Sequence, residues 1–88
     1  MVRNINTITN RLWTYRKKVG FSQKRAAYFL GFKGTNAISR YEHGSKLPGL
    51  INALKLEIVY RTPVAFLFGE VYEKLKKEIK KLEGEIEI

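Results

Sequence analysis

The sequence is poor in the residues that build disulfide-linked, metal-binding or catalytic sites. None of its 88 residues is Cys or Asp, and only His43 is a histidine. Without Cys there is no disulfide and no thiolate metal site, and a lone His cannot hold zinc by itself. Catalysis requires a nucleophile with its base, paired carboxylates or a metal cluster, and this composition is short of all three. We therefore expect a protein that is not an enzyme and needs no cofactor or metal.

Long apolar runs are also missing. The apolar run at residues 64–68 is far shorter than the about 20 residues of a membrane-spanning helix. The first residues lack the apolar stretch of a signal peptide. Small chains without disulfides are typical of the cell interior. We expect a cytoplasmic protein with no membrane partner.

Acidic residues are scarce in most of the chain. Residues 1–69 contain 12 Lys and Arg but only two acids, Glu42 and Glu57, which gives a net charge of +10. Residues 70–88 contain five Lys and six Glu, a net charge of −1, so the whole chain carries +9. A strongly basic domain favours polyanions, above all nucleic acid. A membrane surface would instead favour one helix with a basic face and a wide apolar face, whereas these bases lie on several short segments.

The apolar residues, 44% of the chain, suffice for one small core and recur at helical spacing. Ile8, Leu12, Tyr15 and Val19 predict a first helix over about residues 7–19, ended by Gly20. Further helices are predicted over about residues 23–30, 35–43, 50–60, 63–68 and 70–83. No long alternation of apolar and polar residues predicts a strand, so the fold class is all-α.

The sequence also predicts the burial of one helix, the ends of another and the packing of Trp13. The helix over residues 50–60 is apolar nearly all round, so we expect it to be the most buried element. Thr62 and Pro63 predict the N-cap and first turn of the fifth helix, and Gly69 its end. Trp13 is expected to pack against a later helix.

The composition divides the chain into a basic unit, residues 1–69, and a nearly neutral C-terminal helix and tail, residues 70–88. The tail has an apolar seam at spacings of three and four, formed by Tyr72, Leu75, Ile79, Leu82 and Ile86. In a parallel dimer Glu78 and Glu83 would face each other unfavourably, and Gly84 interrupts the helix. We therefore expect Val71, Tyr72 and Leu75 to pack on their own domain. Ile79, Leu82 and Ile86 remain for a dimer or partner contact.

The second and third predicted helices, joined by a turn with Gly31 and Gly34, form a helix-turn-helix whose second helix can lie in the major groove. On that helix, from about Thr35 to His43, Ile38 and Tyr41 face inward by spacing. The residues left on the outer face are Thr35, Asn36, Ser39 and Arg40. Asn can pair with adenine, Arg with guanine, and Thr and Ser with either base pair. A helix used only for packing could carry the same residues.

Three segments carry a family resemblance, namely FSQKRAAYFLG at residues 21–31, AISRYEHG at residues 37–44, and the following Pro48. They resemble the phage repressor and Cro-like helix-turn-helix family, also called the xenobiotic response element family. Residues 12–20 are similar to its first helix and residues 53–69 to its fourth and fifth. The resemblance implies a five-helix lambda-repressor-like DNA-binding domain, here followed by a sixth, C-terminal helix. Members bind operator DNA, usually as homodimers on palindromic sites, and regulate or repress transcription.

The resemblance also implies roles for individual residues. Thr35, Asn36, Ser39 and Arg40 match base-reading and groove-edge positions. Gln23 matches a glutamine that contacts the DNA backbone and braces the recognition helix. Arg16 and Glu42 match a pair that ties the first helix to the third, although two exposed side chains pairing weakly would fit the sequence as well. Backbone contacts are expected from Ser22, Gln23, Lys24, Arg25, Lys33, Ser45 and Lys46.

The sequence departs from the family pattern in two places. The turn over residues 31–35 is one residue longer than the commonest pattern, so the recognition helix could start late and the base-reading assignment could shift by one. His43 stands where an Asn is common. The function implied is a sequence-specific double-stranded DNA-binding transcriptional regulator, which we expect to be a repressor. An antitoxin that binds a protein toxin and autoregulates its operon is the alternative.

Overall fold

The computed structural model describes residues 8–86, with side chains as far as Glu85. Within this range the chain forms six α-helices and no strand, so the predicted all-α class is confirmed. The helices are α1 (Leu12–Lys18), α2 (Gln23–Leu30), α3 (Asn36–His43), α4 (Leu50–Tyr60), α5 (Val64–Leu67) and α6 (Gly69–Ile86).

The core lies between the first five helices. Each of them contributes at least one buried apolar side chain, and α2 contributes three. These core residues are Leu12, Ala26, Ala27, Leu30, Ile38, Tyr41, Leu56, Tyr60 and Leu67. The small Ala26 and Ala27 let α2 approach α3 and α4 closely, which positions the two helices of the helix-turn-helix.

Helix α1 begins later than its periodicity predicts. The prediction began at about residue 7, which lies outside the described residues, and placed Ile8 on the helix face. In the structure the backbone N–H of Ile8 instead donates to the carbonyl oxygen of Gly44 at 2.8 Å. The side chain of Asn10 accepts from the N–H of Leu12 at 3.0 Å and donates to the carbonyl of Tyr41 at 2.9 Å. Residues 8–11 therefore join the end of α3 to the start of α1.

Gly44, at the C-terminus of α3, satisfies two requirements that only glycine meets. Its φ is +87°, in the left-handed region that side chains disfavour. A Cβ atom at this position would also collide with the backbone nitrogen and oxygen of Ile8. The close approach of residues 8–11 to α3 therefore depends on this glycine.

The prediction that α4 is the most buried helix is wrong. Leu56 and Tyr60 are buried, but Leu50, Ile51 and Ile58 are each more than 60% exposed. One face of α4 packs against α2 and α5, and nothing in the described part of the chain covers the other face. Trp13 also differs from its prediction: it is 57% exposed, with the Nζ of Lys17 lying 5.7 Å from its ring centroid.

The start of α5 is capped from a different element than predicted. The carboxylate of Glu57 on α4 accepts from the backbone N–H of Val64 at 3.0 Å. Thr62, the predicted cap, donates its hydroxyl to the carbonyl of Tyr60 at 3.0 Å. The α5 helix ends at Leu67, and Gly69 begins α6 rather than ending α5.

Helix α6 extends away from the rest of the molecule. It runs for 18 residues through Gly84, which was predicted to interrupt it. It packs mainly against α5. Of the residues predicted to pack on their own domain, Val71 is partly buried, and Tyr72 is 47% exposed and lines a groove with Tyr15 and Phe66. The prediction is wrong for Leu75, which is 50% exposed. The radius of gyration is therefore 15.2 Å, against about 12 Å for a compact chain of this length.

Candidate nucleic-acid interface

The two helices of the helix-turn-helix have well-defined ends. The hydroxyl of Ser22 accepts from the backbone N–H of Arg25 at 3.0 Å and so caps α2. Gly31, at φ +81°, ends α2. After the turn, Thr35 occupies the N-cap position of α3 without a side-chain hydrogen bond. The longer turn thus ends at Thr35, and α3 begins at Asn36.

The inner side of α3 is fixed in the core. Ile38 and Tyr41 are 1% and 3% exposed. The ring of Tyr41 packs edge-on against Phe32 from the turn, with centroids 6.4 Å apart. The amide of Asn52 donates to the Tyr41 hydroxyl at 3.1 Å. These contacts prevent α3 from rotating about its axis and determine which side chains face outward.

The outer side of α3 presents free polar groups. Asn36, Ser39 and Arg40 are exposed and lie three and four residues apart, on one face of the helix. Their side chains form no hydrogen bond with any residue of the described range 8–86. Thr35 is half-buried at the edge of this face. His43, seven residues after Asn36, is exposed on the same face. It was not among the residues predicted for this face.

A nearly buried ion pair joins α1 to α3. The Nε of Arg16 lies 2.5 Å from Oε2 of Glu42, and their side chains are 7% and 8% exposed. A second guanidinium nitrogen donates to Oε1 of Glu42 at 3.2 Å. The third, Nη1, donates to the carbonyl of Phe21 at 2.8 Å. The hydrogen bond with Glu42 raises the pKa of Arg16 above its ordinary value, so the arginine remains charged.

Gln23 belongs to the same network. Its Nε2 donates to Oε1 of Glu42 at 3.1 Å, across the interface between α2 and α3. This hydrogen bond joins α2 to α3 and engages the amide nitrogen of Gln23 inside the protein. The contact also places the N-terminus of α2 beside the C-terminal half of α3.

The residues expected at phosphates lie at the two ends of the α3 face. Lys33 is exposed in the turn that precedes α3. At the other end, the start of α2 and the loop after α3 supply exposed residues, which are Ser22, Lys24, Arg25, Ser45 and Lys46. The structure therefore separates Lys33 from the other members of the set. Positive charge brackets the exposed face at both ends.

Two supporting residues were missed by sequence reasoning. Asn10 ties the segment before α1 to α3, and its only sequence signal was its place two residues before a helix. Lys55 donates from Nζ to the carbonyl of Leu30 at 3.2 Å and satisfies the C-terminal end of α2. The carbonyls of Tyr41 and Leu30, to which these side chains donate, lie far away along the chain, so no local pattern indicates the two contacts.

Two short helices are packed on one core, and the second has an exposed polar face with positive charge at both ends. This arrangement is typical of DNA-binding helix-turn-helix domains. The family model described as Helix-turn-helix matches residues 14–67, more than half of the chain. The chain belongs to this family, the Cro/C1-type helix-turn-helix proteins, and is a DNA-binding transcriptional regulator. Searches of curated proteins and of solved structures found no match.

The match begins within α1 and ends with α5, so α6 lies outside it. Across residues 8–86, none of the helices is long and apolar enough to cross a membrane.

Proposed function

We propose that this protein is a sequence-specific transcriptional repressor that reads double-stranded DNA with α3 in the major groove. The observation that supports this is the contrast between the two sides of α3. Its inner side is held by the core and by the Arg16–Glu42–Gln23 network. Its outer side carries Asn36 and Arg40, both exposed. A rigid helix with free hydrogen-bonding groups is suited to reading base edges.

Each outward residue has a proposed contact. Arg40 donates two hydrogen bonds to guanine O6 and N7, and Asn36 pairs with adenine N6 and N7. Ser39 and Thr35 contact bases or the edge of the groove. Because α3 begins at Asn36, this residue is in the first turn, which enters the groove in this type of domain.

The basic residues around α3 are proposed to contact phosphates. Lys33 would contact one side of the groove, while Lys24, Arg25 and Lys46 would contact the other. Ser22 and Ser45 would add neutral donors, and Gln23 would use the second N–H of its amide, since the first binds Glu42. Neutralising about four phosphates per copy gives a log–log slope of affinity against salt of about −3.6 per copy. Steep salt dependence is therefore expected for specific and random DNA alike.

The repressor is proposed to act as a homodimer on a palindromic operator. A single eight-residue helix contacts only a few base pairs, which is too little to select one site in a genome. Two copies related by a two-fold axis read two half-sites about one DNA turn, roughly 34 Å, apart. A dimer bound in this way excludes other proteins from the operator.

The features of α6 support a second candidate function, that of an antitoxin. Its exposed seam includes Ile79 and Leu82, which are 56% and 59% exposed, on a helix with equal numbers of Lys and Glu. Ile86 continues the spacing, although its side chain lies outside the described residues. Such a nearly neutral helix suits a protein partner better than DNA. A toxin bound there would leave α3 free to repress the shared operon.

The test is selection of bound sequences from a random pool of duplex DNA. A repressor of this type is expected to enrich a palindrome with two equivalent half-sites. Enrichment of a single half-site would support base reading without the dimer. Recovery of random sequence would overturn the proposal, and co-purification of a protein bound to α6 would then favour the antitoxin function.

A further inference from the structure

The outward face of α4 is an apolar surface that nothing in the described part of the chain covers. Leu50, Ile51, Leu54 and Ile58 recur along it and are between 46% and 73% exposed. On a helix of 3.6 residues per turn these four side chains fall within about 100° of the circumference. They are termed the α4 stripe below.

The α4 stripe is additional to the face that packs in the core. Leu56 and Tyr60, on the opposite side of the helix, are each 1% exposed. A helix at the surface of a monomer normally has polar residues on its outer face. Contiguous exposed apolar surface of this kind marks a binding site.

The apolar surface continues from α4 onto α2. Ile58 lines one shallow depression with Tyr28 and Phe29, and a second with Phe21 and Phe29. Tyr28 is 76% exposed and Phe29 is 48% exposed. Together with the α4 stripe they form one apolar surface of six exposed side chains. A stable interface of standard size takes about 800 Å² from each partner.

Helix α4 carries two charged side chains, Lys55 and Glu57. The Nζ of Lys55 donates to the carbonyl of Leu30, and the carboxylate of Glu57 accepts from the N–H of Val64. Both charged groups of α4 are thus engaged with helix ends of their own chain. The four stripe residues are themselves uncharged, while Lys55 and Arg61 line the two depressions beside Ile58. A mainly apolar partner fits such a surface best.

We propose that a second copy of this chain covers the α4 stripe, with the two α4 helices antiparallel about a two-fold axis at Leu54. The spacing of the stripe is self-complementary, because Leu50 lies four residues before Leu54 and Ile58 four residues after it. An antiparallel copy therefore places Leu54 against the partner's Leu54 and Leu50 against the partner's Ile58. Such an isologous contact closes on itself and buries both stripes at once.

This interface lies close to α3. Only residues 44–49 separate the end of α3 from the start of α4. A two-fold axis on α4 would fix the distance and angle between the two α3 helices, and so the spacing of the operator half-sites. In this respect the inference rests on the proposed operator binding, but the contact itself does not require DNA.

Cysteine cross-linking tests the contact directly, since the chain has no native cysteine. Under mild oxidation Leu54→Cys is expected to form a disulfide-linked dimer in high yield. The matched control is Leu82→Cys on α6, at a leucine of similar exposure, which should remain monomeric on a denaturing gel. Efficient linkage of Leu82→Cys without linkage of Leu54→Cys would overturn the proposal. So would linkage of Leu54→Cys only when mixed with Ile79→Cys, because α6 would then be the occupant.

Sedimentation equilibrium without DNA provides a second measurement. Leu54→Asp places two carboxylates at the proposed axis and should weaken self-association at least about a hundredfold, whereas Leu82→Asp should leave it unchanged. Circular dichroism establishes that both variants are folded. A wild type that remains monomeric up to about 100 μM contradicts the proposal, as would a dimer that survives Leu54→Asp.

DNA binding then separates this inference from the proposed function. The Leu54→Asp monomer should bind an isolated half-site with wild-type affinity and lose its preference for the palindrome. If the wild type dimerises through α4 but prefers no DNA sequence, the proposed function fails and the interface stands. If the wild type selects an operator while Leu54→Asp still dimerises, the interface fails and the proposed function stands.

Discussion

The guanidinium of Arg16 and the carboxylate of Glu42 meet at 2.5 Å in a site where both side chains are more than 90% buried. Gln23 adds a third element by donating to the same carboxylate. Three helices, α1, α2 and α3, thus share one charged group. Because the energy of a buried charge depends on its partner, this network should contribute most of the free energy that holds α3 in place.

Removing the carboxylate should destabilise the fold strongly. Glu42→Ala leaves the charge of Arg16 buried without a counter-charge and should lower the free energy of unfolding by about 3 to 5 kcal/mol. Urea denaturation followed by circular dichroism measures this. The control Glu70→Ala removes an exposed carboxylate and should change stability by less than about 0.5 kcal/mol.

A double variant identifies the cause of that loss. Replacing Arg16 with Met and Glu42 with Leu removes both charges and keeps most of the volume, so most of the lost stability should return. If the double variant is as unstable as Glu42→Ala, the loss arises from packing rather than from an unpaired charge.

The glycine at the end of α3 should be more sensitive to substitution than another left-handed glycine. Gly44→Ala combines an unfavourable φ of +87° with a collision against Ile8. Gly20→Ala shares the left-handed φ, at +84°, but its Cβ would meet no atom within 4 Å. We expect a loss of about 1 to 2 kcal/mol for Gly20→Ala and a clearly larger one for Gly44→Ala. Equal losses in thermal unfolding would refute the close approach.

Tyr60 should make the protein sensitive to alkaline pH. Burial raises the pKa of its phenol to about 12, and Glu42 adds to the shift. Between about pH 10 and 12 the unfolded chain has lost this proton while the folded chain retains it, so stability falls as pH rises. Tyr60→Phe should abolish this part of the decline in urea titrations across that range. The slopes of wild type and variant, compared directly, cancel the contribution of the lysines.

The same variant should be tolerated at neutral pH. The Tyr60 hydroxyl is buried and has no hydrogen-bond partner among the described residues. Removing it should therefore leave stability unchanged or raise it by up to about 1 kcal/mol. A loss greater than about 1 kcal/mol would show that the hydroxyl has a partner, such as a bound water.

Two basic residues should differ in what they do for DNA binding. Arg40→Ala should cost about 1 to 3 kcal/mol on the selected operator and relax the preference at one base pair. Lys33→Ala should weaken binding to every sequence and lower the salt slope by about one. Fluorescence anisotropy on operator and random duplexes at several salt concentrations measures both. Equal losses on the two duplexes for Arg40→Ala would refute base reading.

Much of the helix-turn-helix formed by α2 and α3 was predictable from the sequence, because the signals that begin and end its helices are local. Ser22 before an apolar pattern and Gly31 after it define α2, and the inward spacing of Ile38 and Tyr41 determines the outward face of α3. Caps, left-handed glycines and helical periodicity act within a few residues. The order of the helices and the all-α fold class follow from the same signals.

Other features depend on residues that are distant in the chain, and the tertiary structure decided them. The first predicted helix was too long because Ile8 pairs with Gly44, which helical spacing does not reveal. Glu57 was the acid among residues 1–69 that had no predicted role, and its role is visible only where α4 brings it to the start of α5.

The largest difference concerns α4. The sequence determined that this helix is apolar on nearly every side, and burial on every side was the natural expectation. Tertiary packing decided otherwise, because α2 and α5 cover only one face of α4 and α6 extends away from it. Periodicity shows which residues share a face of a helix, but the number of neighbouring elements determines how many faces are covered. The exposed stripe of Leu50, Ile51, Leu54 and Ile58 follows from that difference.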